Sequence, residues 1–311
     1  MSELRTDPLT GTLVIVAPGR AARPDTFTAH EERADAIAAC PFCPGHERET
    51  PPETFRTGSG AADEPGWTIR VFPNKFPIVT RTGAGIRGIH EVLVLSPDHR
   101  ASFAELTPGD AREVVRVMRD RLHAHLDEGF PFAQGFMNRG AEAGASIAHP
   151  HAQMITIDVV PPAIDVVSRR FAADPDVLRR VIDDAARGDL IVADGPAVIW
   201  CPYASRGPFE MTVAVPGGGA RFDTADNASV AAVADALGDA LRRLQRVLGA
   251  SVPYNVVFDS GPVGAPYQWF VRIAPRLHVT AGFEHTTDVY ITTVRPEDAA
   301  EQLRTATITT T

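Results

Sequence analysis

The chain has 311 residues, a formal net charge of −9, 44% hydrophobic residues and 22% charged residues. That length suits two domains, or one domain built from two similar halves, around a large buried core. The acidic balance argues against a nucleic-acid backbone as partner, and no apolar run is long enough for a membrane span.

In chain order, a β-rich run over 13–16 leads into Pro18-Gly19-Arg20-Ala21-Ala22-Arg23-Pro24, a loop with two arginines. Residues 28–66 are rich in Ala, Glu, Pro and Gly and read as irregular structure around Cys40 and Cys43. Strands are predicted over 67–71 and 91–95, with a turn at Ser96-Pro97-Asp98-His99. Ala111, Val114, Val115, Met118, Leu122 and Leu126 recur at helical spacing and predict a helix over 108–126. Thr107 is its expected N-cap and Pro108 its first residue. Strands over 133–137 and 151–157 follow a glycine-bearing loop.

A joining segment, 161–196, carries a predicted helix near 176–187. The order then repeats: strand 211–215, turn 216–219, helix 228–248, strand 254–258, a Gly/Pro loop and strand 268–273. Glu91 to Asn138 spans 47 residues and Glu210 to Asn255 spans 45. This predicts a duplicated α+β unit, with antiparallel sheets carrying helices on one face and halves at 1–160 and 161–311.

The densest chemical signal is the string from Asn138 to Gln153. In a strand His149, His151 and Gln153 share one side. Gly140 and Gly144 let backbone N–H groups approach an anion, and Ser146 adds a hydroxyl donor. A histidine beside such a cradle can attack phosphorus or hold a proton. Paired metal ligands or hydrogen-bonded core histidines are the plainer reading; the full string, with both glycines, Ser146 and Gln153, favours the phosphate chemistry.

Cys40-Pro41-Phe42-Cys43 is a tight knuckle whose two thiolates need two more ligands for tetrahedral zinc, with His46, His90, His99 and His149 available. A redox pair would need a thioredoxin-like context that the sequence does not offer. Cys201 reads as a small buried hydrophobe. Three cysteines form no disulfide framework, and the N-terminal ten residues are polar, so a cytoplasmic protein is expected. Taken alone, Arg20 and Arg23 read as surface charge. Phe72-Pro73-Asn74-Lys75-Phe76-Pro77 sets Asn74 and the chain's single lysine between two aromatics. That suits base stacking with ribose or phosphate contacts, and suits core packing equally.

These segments together resemble the galactose-1-phosphate uridylyltransferase family, a branch of the histidine-triad superfamily. The likeness begins at Asp7-Pro8-Leu9-Thr10 and the arginine loop. It continues through the Cys knuckle, Phe72-Pro73-Asn74-Lys75-Phe76 and Ser96-Pro97-Asp98-His99, and is strongest at Asn138 to Gln153. It returns at Pro202-Tyr203, Pro208-Phe209-Glu210, Tyr254-Asn255 and Ala281-Gly282-Phe283-Glu284. The resemblance implies a pair of histidine-triad-like half-barrels, commonly dimeric, so a homodimer is expected. It implies His151 as the nucleophile that forms a nucleotidyl-histidine, with Gln153 on the phosphoryl oxygens. It implies one structural zinc on Cys40, Cys43, His99 and His149. Substrate contacts are expected from Arg20, Arg23, Asn74, Lys75, Asn138, Gly140, Gly144 and Ser146, and in the second half from Gln268, Arg272 and Glu284.

The second half departs from the family pattern. Many members carry metal-binding histidines in the strand matching 268–273, where this chain has Gln268-Trp269-Phe270-Val271-Arg272-Ile273, so no second metal is expected. The implied reaction is ping-pong exchange of a nucleotide between a nucleoside diphosphate sugar and a sugar 1-phosphate, of the UDP-glucose:hexose-1-phosphate uridylyltransferase type. The alternatives are a nucleoside diphosphate sugar or dinucleoside polyphosphate phosphorylase, with inorganic phosphate as acceptor, and a non-catalytic nucleotide-binding scaffold.

Overall fold

The computed structural model describes residues 2–22, 40–82 and 85–306, so Arg23 lies outside the described residues. Along the chain run β1 (Glu3–Thr6), β2 (Leu13–Val16), β3 (Phe55–Gly58), β4 (Trp67–Pro73), β5 (Gly88–Val94), α1 (Pro108–Leu126), β6 (Phe132–Arg139) and β7 (His151–Ile157). Then come α2 (Pro162–Ala173), α3 (Val177–Arg187), β8 (Ile191–Ala193), β9 (Val198–Trp200), β10 (Met211–Ala214), α4 (Asn227–Leu248), β11 (Tyr254–Asp259) and β12 (Phe270–Pro275). The described chain closes with α5 (Gly282–Thr287), β13 (Val289–Thr292) and α6 (Pro296–Thr305).

The two long helices start where side chains can cap them. The Thr107 hydroxyl accepts the Asp110 N–H at 3.2 Å, and the Asp226 carboxylate accepts the Ser229 N–H at 2.7 Å. Each helix buries one stripe: Val114, Val115, Met118 and Leu122 on α1; Val233, Leu237, Leu241 and Leu244 on α4. The two pack against each other and cover one face of a sheet through Met154, Val256, Val271 and Ile273.

That sheet has ten antiparallel strands in the order β3-β4-β5-β7-β6-β11-β12-β10-β9-β8. Read outward from the centre, the halves are β6-β7-β5-β4-β3 and β11-β12-β10-β9-β8. Each follows the same path, with α1 or α4 at the same step, so the duplicated α+β architecture is present. The landmarks read from sequence need correcting, however. Asn138 lies near the end of β6 and Asn255 near the start of β11, and the register sets them opposite each other. They are a pair across the junction, not equivalent positions. By strand pairing, β7 corresponds to β12: Gln153 lies opposite Val92 as Arg272 lies opposite Thr212. His151 and Gln153 in the first half thus match Phe270 and Arg272 in the second.

A smaller sheet pairs β1 with β2 and, in parallel, β2 with β13. The N-terminal strands are thereby tied to the second half. Arg5, buried there, donates to the Tyr203 carbonyl and pairs with Glu297. Across the described residues no helix is long and apolar enough to cross a membrane.

Candidate functional site

The face of the ten-stranded sheet opposite α1 and α4 carries the candidate site. Along β7, Ala152, Met154 and Thr156 point to the core and are fully buried, so His151 and Gln153 alternate onto the open face. A second apolar cluster forms beneath them from Cys40, Phe42, Cys43, Trp67, Phe72, Val92 and Val94.

The Cys knuckle folds over this cluster and is pinned there by Glu47. One Glu47 oxygen accepts the Trp67 indole N–H at 2.8 Å, the other the Gly45 backbone N–H at 2.9 Å. Arg70, buried on β4, holds the neighbouring loop by donating to Glu53 at 2.9 Å, Thr50 at 2.8 Å and Asp63 at 2.8 Å. The ligand atoms of Cys40, Cys43, His99 and His149 all fall within 4.8 Å of one another. Cys43 Sγ lies 3.3 Å from His99 Nδ1 and 3.5 Å from His149 Nδ1, and Cys40 Sγ lies 3.7 Å from His149 Nδ1. A tetrahedral zinc with ordinary Zn–S and Zn–N bonds sets S and N about 3.6 Å apart, so these residues fit a metal ion. His149 Nε2 donates to the Ser96 carbonyl at 2.8 Å, which leaves Nδ1 as the ligand atom. Burial pushes its pKa down to about 4, so the ring is neutral, as a ligand must be. The other sequence candidates are used elsewhere: His46 Nδ1 donates to the Cys40 carbonyl at 2.7 Å, and His90 faces Gln153.

His151 follows two residues on. Its Nδ1 donates to the His149 carbonyl at 2.8 Å, so Nε2 keeps its lone pair. The ring is 7% exposed, and burial pushes its pKa below the usual histidine range. Phe42 packs edge-on against it, ring centroids 5.3 Å apart. The result is a neutral imidazole of fixed tautomer and orientation, with one free nitrogen on the open face.

Met137 lies opposite Ala152, so the next row sets Asn138 beside His151. Asn255 donates to the Asn138 side-chain oxygen at 2.8 Å and to the Ala143 carbonyl at 2.8 Å, holding both the Asn138 amide and the glycine loop. That loop turns at Gly140, with φ +82°, where a Cβ would also come within 2.8 Å of Pro253 Cβ; only glycine fits. Gly144 and Ser146 are exposed on the same loop. Gln153 accepts from His90, and His90 lies against Asn74. Lys75 is exposed and donates to the Glu49 carbonyl at 3.1 Å. Arg20 is exposed on a single turn after β2.

The three residues from the second half are engaged within the fold. Gln268 donates to the Pro175 carbonyl at 3.0 Å. Arg272 forms a two-toothed pair with Asp259. Glu284 is buried, accepting the Ala281 N–H at 2.9 Å and the Ile291 N–H at 3.2 Å. A cavity of about 1120 Å³ opens on this half, lined by Arg206, Glu210, Asn255, Arg272 and Arg276 among others. His151 does not line it. Phe270, at the place equivalent to His151, does, so the cavity has no nucleophile there. Size alone would have pointed to this cavity; the aligned imidazole points to the β7 face.

Comparison with known proteins places the chain in a family. Residues 94–310 match a family model described as "Domain of unknown function (DUF4921)". The chain is 30% identical to ADP-glucose phosphorylase of Arabidopsis thaliana over 335 residues, 99% of this chain and 93% of that protein. It is also 30% identical to galactose-1-phosphate uridylyltransferase of Streptomyces lividans over 279 residues, 85% of this chain and 71% of that one. The chain belongs to the galactose-1-phosphate uridylyltransferase family of the histidine-triad superfamily, and is an enzyme of that nucleotidyl-transferring kind. Its fold superposes on the crystal structure of Arabidopsis thaliana ADP-glucose phosphorylase with bound ADP-glucose, with a TM-score of 0.86 and 28% identity over 99% of this chain and all of that one. A uridylyltransferase structure matches in fold with a TM-score of 0.75, at 23% identity over 98% of each chain.

The sequence offers His90 only as a possible zinc ligand and Asn255 only as a landmark of the repeat, and gives no sign of Glu47. Each acts through a partner distant in the chain, which local spacing does not reveal.

Proposed function

We propose that the protein is a nucleoside diphosphate sugar phosphorylase. His151 Nε2 attacks the α-phosphorus, the bond to the sugar phosphate breaks, and sugar 1-phosphate leaves. Inorganic phosphate then attacks the same phosphorus from solvent, releasing a nucleoside diphosphate and restoring the free imidazole. The likeness to an ADP-glucose phosphorylase across 99% of the chain carries the choice of phosphate as acceptor. It displaces uridylyl exchange, which the sequence ranked first, in favour of its alternative. ADP-glucose is the first substrate to try.

In this reading the catalytic half is 1–160 and the second half, 161–311, completes the sheet. Asn138 and the Gly140–Ser146 loop offer N–H and O–H donors to the charge that gathers on the phosphoryl oxygens. Asn74, which lies against His90, and the exposed Lys75 and Arg20 are the nucleotide contacts of this reading. We assign no substrate contact to Gln268, Arg272 or Glu284, whose side chains already bond within the fold. Cys40, Cys43, His99 and His149 would hold zinc as a closed four-ligand site that fixes the start of β7; the reacting groups themselves come from the chain.

Product analysis tests the acceptor. Enzyme with ADP-glucose and inorganic phosphate should yield ADP and glucose 1-phosphate. Turnover that requires a hexose 1-phosphate and ignores phosphate would return the protein to the transferase reading, which the Streptomyces lividans relative represents.

A further inference from the structure

We propose that His90 is a positioning residue: its ring locks the Gln153 side-chain amide with the N–H end free for the phosphoryl group. The inference rests on His151 being the nucleophile.

His90 lies on β5, two residues from Val92, the register partner of Gln153, and is buried on the open face of the sheet. Its two nitrogens have different partners. The Ile78 backbone N–H points at Nδ1 at 3.3 Å, and only a lone pair can accept it. The proton therefore sits on Nε2, which lies 2.8 Å from Gln153 Oε1 and donates to it. Burial pushes the pKa of the ring below the ordinary histidine range, which keeps the single-proton form.

An unheld primary amide can turn over about its last bond and present oxygen where nitrogen stood. Oxygen facing a phosphoryl oxygen repels it; an N–H stabilises the charge that builds there. With Oε1 held by His90, the NH2 end is left for the face shared with His151. Asn74 Nδ2 also lies 3.1 Å from His90 Nε2. The opposite tautomer would accept from Asn74, but it would set Nδ1–H against the Ile78 N–H and turn Gln153 around. The Asn74 side-chain oxygen is held by the Phe76 N–H at 2.8 Å, so its NH2 stays toward His90, and the two contacts from Ile78 and Gln153 set the tautomer against that one.

The test is single-turnover formation of the nucleotidyl-enzyme from ADP-glucose, in wild type, His90→Phe, His90→Gln, Gln153→Ala and the double variant His90→Phe/Gln153→Ala. His90→Phe should slow labelling about tenfold or more at saturating substrate, with little change in the half-saturating concentration. His90→Gln, whose amide can still donate to Gln153, should recover most of that rate. In the Gln153→Ala background, His90→Phe should cost less than about twofold. An equal loss in both backgrounds would overturn the proposal, as would a rate in His90→Phe within about twofold of wild type. Failure of the wild type to label at all would instead overturn the reading of His151 on which this rests.

Discussion

At the scale of single residues, the site works by removing freedom from histidines. His151 has one nitrogen committed to the His149 carbonyl and a ring wedged by Phe42, which leaves one nitrogen to react. His151→Gly should therefore lower nucleotide transfer by at least about a thousandfold while leaving the fold and bound metal unchanged. Steady-state turnover with circular dichroism checks this. Activity within about tenfold of wild type would remove His151 from the mechanism. Added imidazole can enter the space left and partly restore nucleotide transfer by acting as the nucleophile itself, with no label on the chain.

The residues proposed to hold zinc are single residues too, yet their expected effect is on stability. Burial, then the neighbouring Cys40 thiol, push the Cys43 thiol up to about 11, an unfavourable arrangement that a bound cation reverses by taking both sulfurs as thiolates. Cys43→Ser and His99→Ala should each lower metal content and melting temperature together, because metal binding is linked to folding. Metal analysis of freshly purified protein, beside thermal melts, measures both. Unchanged metal in both variants would place the ion elsewhere.

At the scale of elements, β5 is tied to α1 by a buried polar cluster on the helix side of the sheet. His125 Nε2 donates to Glu91 at 2.9 Å, Arg121 donates to both Glu91 oxygens, and His125 Nδ1 lies 3.2 Å from the Thr156 hydroxyl. Burial alone would raise the Glu91 pKa, but the hydrogen bonds and charges of His125 and Arg121 outweigh it and hold the carboxyl down at about 2. A carboxylate with a depressed folded-state pKa stabilises the fold above its unfolded value and loses that contribution as pH falls. The window runs from the ordinary 4.5 down to about 2, and the full effect is of order 3 kcal/mol. Glu91→Gln should be less stable than wild type at pH 7, and the gap should narrow as denaturation is repeated toward pH 2. A gap independent of pH would mean that Glu91 contributes by packing alone.

Elements also show why some of the structure was legible in the sequence. The helix at 108–126 was read to its ends because Thr107 and Pro108 mark its start and its apolar stripe is long. β3 was hidden in a stretch dominated by Pro, Gly and Glu, and β8 and β9 have three residues each, too few for a period to register. α2 begins on the second of two prolines, Pro162, inside a stretch that reads as a linker; α6 carries a first-turn Pro and acids, but too short an apolar stripe to register as a helix. The His149–Gln153 string was legible because its chemistry is contiguous on one strand. His90 was not, because its partner Gln153 lies 63 residues on and meets it only once β5 pairs with β7.

At the scale of the whole molecule, duplication builds a ten-stranded sheet that neither half would make alone. The halves meet at β6 and β11, where Asn255 of the second half holds Asn138 and the glycine loop of the first. Chemistry is concentrated on one side: where β7 carries His151 and Gln153, β12 carries Phe270 and an Arg272 neutralised by Asp259. The second half then contributes support through Asn255. Asn255→Ala should slow transfer while sparing overall stability more than a core truncation would, because it frees the Asn138 amide and one carbonyl of the loop. Matched activity and thermal-melt measurements on Asn255→Ala and Leu241→Ala separate the two; loss of stability in proportion to activity would reduce Asn255 to a structural role.

In the proposed reaction the nucleotide passes through a covalent bond to His151 and is then taken by phosphate. Intact-protein and peptide mass spectrometry on enzyme incubated with ADP-glucose alone measures this directly. The account predicts one added adenylyl group per chain, located on His151, that disappears with release of ADP when inorganic phosphate is added. ADP formation at an undiminished rate by His151→Gly, with no adduct on the wild-type chain, would contradict it.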